Sequence, residues 1–202
     1  MLDLPLMTYV ATLSVTPGPN NIMLAASGVN FGLRRTLPMM LGVSMGHAVQ
    51  VLLVGLALAW MVLWLDALRP LLVALGCAYL LWLARRQARA AQPDSVVPAQ
   101  PMGLIGMALF QWVNPKAWMM VLNVAILFLP PESGWADAVL LALISASINL
   151  PCIALWAVAG DRLREHLRQP HLLRVFNLTM SFLLAATAVW IAVDGLGLLA
   201  NV

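Results

Sequence analysis

Charged side chains are scarce in this sequence. Asp, Glu, Lys and Arg make up only 9% of its 202 residues, against roughly 25% in an average soluble protein. Apolar residues make up 62%, and the mean hydropathy is +0.91. The few basic residues give a net charge of +3 and lie in short segments, so they indicate no nucleic-acid partner. The composition predicts a polytopic protein embedded in a lipid bilayer.

The residues that build metal sites and disulfide frameworks are also few. Cys77 and Cys152 lie within apolar stretches and have no CxxC spacing, so we expect free, buried thiols. The three histidines show no HExxH pattern, and no pair of carboxylates lies within a hydrophobic segment. These absences argue against an enzyme, and they indicate neither a metal site nor a cofactor.

Six hydrophobic segments are candidates for membrane spans, which need roughly 20 apolar residues each. They lie at about 4–31, 38–64, 68–84, 102–129, 135–159 and 173–199. We expect a single transmembrane domain over 1–202. A basic, proline-containing linker at 85–101 separates a first repeat, at about 1–84, from a second repeat, at about 102–202.

The arginines alternate between the loops that join these segments. Nine of the ten lie in loops one–two, three–four and five–six, and only Arg69 lies elsewhere. Since basic residues collect on the cytoplasmic side, we expect Arg86 inside, and both termini, including Asn201, outside. With three spans in each half, the second half enters the membrane in the opposite sense, as an inverted-topology repeat requires.

Two helix-start patterns interrupt the first and the fourth segment. They are Thr16-Pro17-Gly18-Pro19-Asn20 and Asn114-Pro115-Lys116, with Pro17 and Pro115 lying 98 residues apart. A proline within a helix lacks the N–H donor and frees the carbonyl four residues earlier, so the carbonyls of Leu13 and Val15 should be free. A single proline could merely kink a transmembrane helix.

The matched pair of patterns favours half-helices that begin near the membrane midplane. Thr16 and Asn114 are predicted N-caps, and Pro17 and Pro115 are predicted first helical residues. The fold class that follows is an all-α polytopic membrane protein. Its six transmembrane helices form two inverted three-helix repeats with interrupted helices 1 and 4, a pattern that points to a transporter's binding site.

Lys116 is the one formal charge predicted at membrane depth. A lysine at the centre of a spanning helix costs on the order of 2.5–3.5 kcal/mol, and no acidic residue lies within the segments. We expect Lys116 and the N-termini of the half-helices to bind an anionic group such as a substrate carboxylate. A structural lysine that bonds to the carbonyls freed at the first break is the alternative. The candidate substrate-binding residues are Thr16, Pro17, Gly18, Pro19, Asn20, Asn114, Pro115 and Lys116.

His47 is the other ionisable residue expected at depth. With Ser44 and Gln50 it forms a polar line on the second segment, beside Gly42 and Gly46. A histidine in a membrane can carry protons near neutral pH, so His47 is the candidate for proton coupling. A neutral histidine that is satisfied by a neighbouring side chain is the alternative.

These motifs resemble those of the lysine exporter superfamily, LysE/RhtB type, over essentially the whole chain. The resemblance rests on Thr16-Pro17-Gly18-Pro19-Asn20, the glycine-rich stretch Gly42–Gly46 and Asn114-Pro115-Lys116-Ala117. The extension Pro19-Asn20-Asn21-Ile22 is most similar to the cysteine/O-acetylserine exporter branch. One departure is that many members carry an acidic residue where this sequence has His47.

The resemblance implies export of amino acids or their derivatives across the bacterial inner membrane, driven by the proton gradient. The expected partners are a small-molecule substrate, protons and the lipid bilayer, and assembly into a homo-oligomer stays open. A passive channel for small zwitterionic metabolites is the alternative function. It would need a continuous polar lining, and the segments offer only scattered Ser, Thr and Asn residues.

Overall fold

The computed structural model describes residues 4–89, 100–130, 133–167 and 169–195, and all regular structure in these ranges is helical. The helices are α1 (Leu4–Val15), α2 (Pro19–Phe31), α3 (Leu33–Arg89), α4 (Leu104–Phe110), α5 (Pro115–Phe128), α6 (Trp135–His166) and α7 (Pro170–Gly195). A 3-10 turn at Gln111–Val113 joins α4 to α5. The predicted all-α class is confirmed for these residues. Most of the predicted linker 85–101, and Asn201, lie outside them.

Among the residues that the structure describes, three helical stretches are long and apolar enough to cross a bilayer: Leu33–Ala57 of α3, α6, and Pro170–Val193 of α7. The first and the fourth hydrophobic segments appear instead as pairs of shorter helices. α1 ends at Val15 and α2 begins at Pro19, while the 3-10 turn ends at Val113 and α5 begins at Pro115. Both interruptions predicted from the sequence are therefore present.

The predicted start of the first half-helix is wrong by two residues. The N-cap of α2 is Gly18 rather than Thr16, and its first helical residue is Pro19 rather than Pro17. The backbone of Gly18 is extended, with φ −177° and ψ 175°. Thr16-Pro17 and Gly18-Pro19 both have a residue that is common at the N-cap followed by a proline, which is common at the first helical position. The side chain of Thr16 caps no α2 donor because it bonds back to the Leu13 carbonyl, 2.9 Å away.

The second and third predicted spans are not separated by a loop. α3 is helical throughout its 57 residues, which would measure roughly 85 Å if straight. It is not straight, because its two ends pack on the same helix in opposite directions. Gly42 contacts Leu104 and Gly46 contacts Ala108, whereas Gly76 contacts Val113 and Tyr79 stacks on Phe110. The two ends of α3 therefore run in opposite directions, and Pro70 is the proline that lies in the helix between them.

Each interrupted span packs against the middle helix of the other half of the chain. α1 and α2 contact α6, and α4 and α5 contact the first part of α3. The approach is close: a Cβ on Gly28 of α2 would lie 2.4 Å from the Ala157 carbonyl oxygen, and one on Gly160 of α6 would lie 2.2 Å from that of Ala25. Small residues allow such contact between helices in membranes. Because each interrupted segment packs against a helix from the other half of the chain, the two breaks lie next to each other.

Candidate functional site

The carbonyl groups at the end of α1 all have partners within the protein. Leu13 accepts from the Thr16 hydroxyl, Ser14 from Asn21 Nδ2 at 2.8 Å, and Val15 from Trp156 Nε1 at 3.0 Å. The expectation that Pro17 and Pro19 free the carbonyls of Leu13 and Val15 is confirmed in part: helical partners are lost, and side chains replace them. Such replacement is required because water does not reach these groups in a bilayer.

Lys116 supplies the remaining partners at the first break. Its Nζ donates to the Thr16 carbonyl at 2.7 Å, the Thr16 hydroxyl at 2.9 Å and the Pro17 carbonyl at 3.1 Å. An ammonium group has three donors, so all three are used. The end of α1 carries partial negative charge, which favours a cation there. This contact matches the alternative interpretation of Lys116 from the sequence, in which a structural lysine bonds to carbonyls at the first break.

Gly18 makes the lysine contact possible. The Lys116 side chain passes over it so closely that a Cβ on Gly18 would lie 2.7 Å from Lys116 Cδ and 3.0 Å from Nζ. Any other residue at this position would push the ammonium away from Thr16 and Pro17. The glycine is therefore needed here for close approach rather than for a left-handed backbone.

Three amide side chains join the two half-helix starts. Asn20 exchanges two hydrogen bonds with Gln111, Nδ2 to Oε1 at 3.1 Å and Nε2 to Oδ1 at 3.2 Å. Asn114 Nδ2 also donates to Asn20 Oδ1 at 3.1 Å. Asn114 Oδ1 accepts from the backbone N–H of Lys116 at 3.1 Å, which is the predicted N-cap of α5. Asn20 thus links the first residues of α2 to the turn that precedes α5.

Two further amides reach the breaks from the middle helices. Asn149 of α6 donates to the Ser14 hydroxyl at 2.9 Å, and Gln50 of α3 donates to the Gln111 carbonyl at 2.9 Å. Both side chains are buried. Their oxygens, Asn149 Oδ1 and Gln50 Oε1, are the buried side-chain atoms without a partner in the part of the chain described. Each of these amides therefore bonds to residues that precede a half-helix, Asn149 to a hydroxyl group and Gln50 to a backbone carbonyl.

His47 is buried and paired. Its Nε2 lies 2.7 Å from the hydroxyl of Ser145 on α6, and 3% of its surface is exposed. One turn of α6 separates Ser145 from Asn149, so both contacts lie on the same face of that helix. A histidine satisfied by a neighbour was the alternative to proton coupling, and this hydrogen bond is compatible with either role.

Two cavities meet at Lys116 and Gly18. A small one, of about 30 Å³, is lined by both residues and by polar side chains that include His47, Asn114 and Asn149. A large one, of about 940 Å³, extends from Thr16 and Lys116 between α1, α5 and α7. Its walls are mainly apolar. The predicted site residues divide accordingly: Asn20 and Asn114 line the small cavity, Thr16, Pro17, Pro19 and Pro115 the large one, and Gly18 and Lys116 both.

Several residues of this site were not predicted from the sequence. Gln111 and Asn21 bond to the breaks, and Ser145 pairs with His47. A polar side chain inside an apolar segment was a signal for each of them, since such groups need partners in lipid. That signal does not identify the partner, which depends on how the helices pack.

In the described part of the chain all regular structure is helical, and two interrupted segments meet at a partly buried lysine, an arrangement expected of a membrane transporter. The chain belongs to the LysE type translocator family, whose sequence profile matches residues 11–195. This confirms the resemblance seen in the sequence motifs, and the family is one of transport proteins.

The curated relatives include cysteine/O-acetylserine efflux proteins. One, from Klebsiella pneumoniae, is 34% identical over 193 residues, which cover 93% of each chain. Another, from Salmonella paratyphi A, is 33% identical over 188 residues, which cover 90% of this chain and 93% of the relative. The protein of Escherichia coli K12 is 30% identical with the same coverage. No solved structure matches this chain.

Proposed function

We propose that this protein exports an uncharged amino acid or amino-acid derivative, such as cysteine or O-acetylserine, from the bacterial cytoplasm through the inner membrane. The observation that carries the proposal is the Lys116 contact. It places one ammonium group beside two backbone carbonyls at the wall of a cavity large enough for an amino acid. The similarity to cysteine/O-acetylserine efflux proteins supports the substrate class.

The chemistry of a zwitterion fits this contact. A substrate carboxylate would take the Lys116 ammonium, and the substrate ammonium would take the carbonyls of Thr16 and Pro17 that the lysine then releases. The contact between Lys116 and these carbonyls is thereby replaced by two contacts with the substrate, one to its carboxylate and one to its ammonium group. Without substrate, the lysine keeps those carbonyls satisfied. This exchange assigns Lys116 both roles, structural in the empty protein and substrate-binding in the loaded one.

We assign the chain six membrane passes arranged as two inverted repeats. α3 supplies the second and third passes, because its two ends run in opposite directions along α4. Gln50 of α3 and Asn149 of α6 each bond to residues that precede a half-helix in the other half of the chain, which supports a two-fold relation between the halves. By the positive-inside rule, the two arginine-rich ends of α3 face the cytoplasm and both termini face outward.

Proton coupling is assigned to His47. It is the one histidine that lines a cavity shared with Lys116, and a hydrogen bond to Ser145 gives it a route for exchanging a proton. Import of a proton through His47 would drive outward movement of the substrate. A histidine suits this task because its charge changes near neutral pH.

Transport in membrane vesicles tests the proposal. Purified protein is reconstituted, the vesicles are loaded with unlabelled O-acetyl-L-serine, and uptake of the labelled compound is followed. A carrier gives uptake that is stimulated by the internal substrate. A passive channel gives equilibration without stimulation, which would favour the alternative function. Absence of any uptake of cysteine, O-acetylserine and other uncharged amino acids would refute the proposed export.

A further inference from the structure

A third cavity lies at the opposite end of α2 from the break. It measures about 80 Å³, and its polar lining comes from Ser27 and Asn30 of α2 and from Arg86 and Gln87 at the end of α3. Met23 and Met39 form part of its apolar wall. This cavity shares no lining residue with the two that meet at Lys116.

One face of α2 connects this cavity to the break. Asn20, Met23, Ser27 and Asn30 follow one another at spacings of three, four and three residues, which places them on the same side of a helix. Asn20 lines the small cavity beside Lys116, and the other three line the cavity at Arg86. Ten residues of helix span roughly 15 Å. One face of α2, polar at Asn20, Ser27 and Asn30 and apolar at Met23, thus leads from the arginine-rich end of α3 to the break.

The amide groups in this cavity are held in place by Asn177 of α7. Its Oδ1 accepts from Asn30 Nδ2 at 3.1 Å and from Gln87 Nε2 at 2.9 Å, and Asn177 is fully buried. The guanidinium carbon of Arg86 lies 5.7 Å from the centre of the Trp82 ring, a contact that orients a guanidinium group. The cavity therefore combines fixed amides with an oriented cation.

We propose that this cavity is a second substrate site, where Arg86 binds the carboxylate of the amino acid before it reaches Lys116. The guanidinium group presents paired donors that match the two oxygens of a carboxylate. Met23 lines this cavity and lies on α2 between Asn20 and Ser27, so the substrate would pass this adaptable side chain on its way to the break. The inference rests on the proposed export function and on the cytoplasmic position of the arginine-rich end.

The test compares two neighbouring arginines in everted vesicles, which expose the cytoplasmic face. Arg86→Gln should raise the half-saturation concentration for O-acetyl-L-serine about tenfold, as expected for loss of a charge-assisted hydrogen bond, and leave the maximal rate unchanged. Arg85 is exposed and does not line the cavity, so Arg85→Gln removes the same charge and should have no effect. Equal effects of both variants, or an unchanged half-saturation concentration for Arg86→Gln, would overturn the proposal while leaving export intact.

Binding without transport provides the second measurement. In protein that contains isotopically labelled arginine, the Arg86 side-chain resonance is assigned by its loss in Arg86→Lys. It should shift with O-acetyl-L-serine and not with O-acetyl-L-serine amide, which lacks the carboxylate. If the Arg86 resonance shifts with neither compound, the proposal is overturned. A resonance that responds only to the phosphatidylglycerol content of the surrounding bilayer also overturns it, and assigns Arg86 to a lipid phosphate.

Discussion

Lys116 and Gly18 are in contact across the two halves of the chain: the aliphatic part of the lysine lies on the glycine that caps α2. The contact determines where the ammonium group can be, because the lysine reaches the Thr16 and Pro17 carbonyls only by passing over a residue without a side chain. Gly18 is therefore as much a part of the site as the lysine that passes over it.

Gly18→Ala should reduce transport although it keeps every charge. The new methyl group would lie 2.7 Å from Lys116 Cδ, so the ammonium group must leave at least one of its three acceptors. We expect at least a tenfold loss of uptake in vesicles, on the order of one charge-assisted hydrogen bond. Gly103→Ala is the matched control, because a Cβ on Gly103 meets nothing within 4 Å. Equal uptake by the two variants would contradict this account of Gly18.

Lys116→Met should insert and fold but lose most transport. It removes a charge that is costly at membrane depth, and Asn21 still donates to the Thr16 carbonyl. Lys116→Arg should also be impaired, because a planar fork does not reproduce a compact ammonium group.

Competition with an amino amide then tests direct pairing with Lys116. Removing the substrate carboxylate should weaken binding to the wild-type protein far more than to Lys116→Met. An equal loss in both proteins would mean that the carboxylate binds elsewhere. Transport by Lys116→Met at the wild-type rate would leave the lysine with its structural role alone.

His47→Gln should uncouple transport from the proton gradient. Glutamine can keep a hydrogen bond to Ser145 and cannot gain or lose a proton in this pH range. Uptake driven by a pH gradient should therefore be lost, while exchange of labelled for unlabelled substrate continues. Ser145→Ala is the companion variant, because it removes the hydrogen bond and keeps the histidine. If His47→Gln still accumulates substrate against a pH gradient, His47 does not carry the proton.

Labelling of single cysteines tests the orientation. A cysteine-free protein, made by replacing Cys77 and Cys152, receives one cysteine at position 85 or at position 201. A membrane-impermeant reagent added to whole cells should label position 201 and spare position 85, because the arginine-rich loops are expected inside. The reverse labelling pattern would mean that the protein has the opposite orientation in the membrane. It would not contradict the proposed relation between the two halves.

Local chemistry made the two breaks predictable. A proline lacks a donor wherever it is placed, so Pro115 and the Pro17–Pro19 pair identified the interruptions, and Asn114 identified a cap. The choice between Pro17 and Pro19 as the first helical residue was not predictable, since both follow a residue that tolerates the N-cap position. A contact distant in sequence accompanies the observed choice, the bond of Lys116 to the Thr16 carbonyl, beside a local bond from Asn21 to the same carbonyl.

The reversal of α3 illustrates a different limit. Hydropathy placed two spans between residues 38 and 84, and a loop was the natural expectation between them. The structure has one helix over Leu33–Arg89 instead, so the secondary structure does not mark the boundary between the two spans. The partners of the buried polar groups were equally unpredictable. Asn149 and Gln50 needed partners in lipid, but Ser14 and the Gln111 carbonyl were chosen by the packing of the helices.

Each interrupted segment packs against a helix from the other half of the chain, and this packing limits how such a protein can move. α2 is packed against α6 with glycine contacts that leave no space for a methyl group, and the first part of α3 is held in the same way by α4. Two halves that are packed together in this way do not move against each other as separate rigid bodies. The parts left to move are α1 and α5, which adjoin the breaks at Gly18 and Asn114, so opening to either side of the membrane would be a swing of these two helices against a fixed frame.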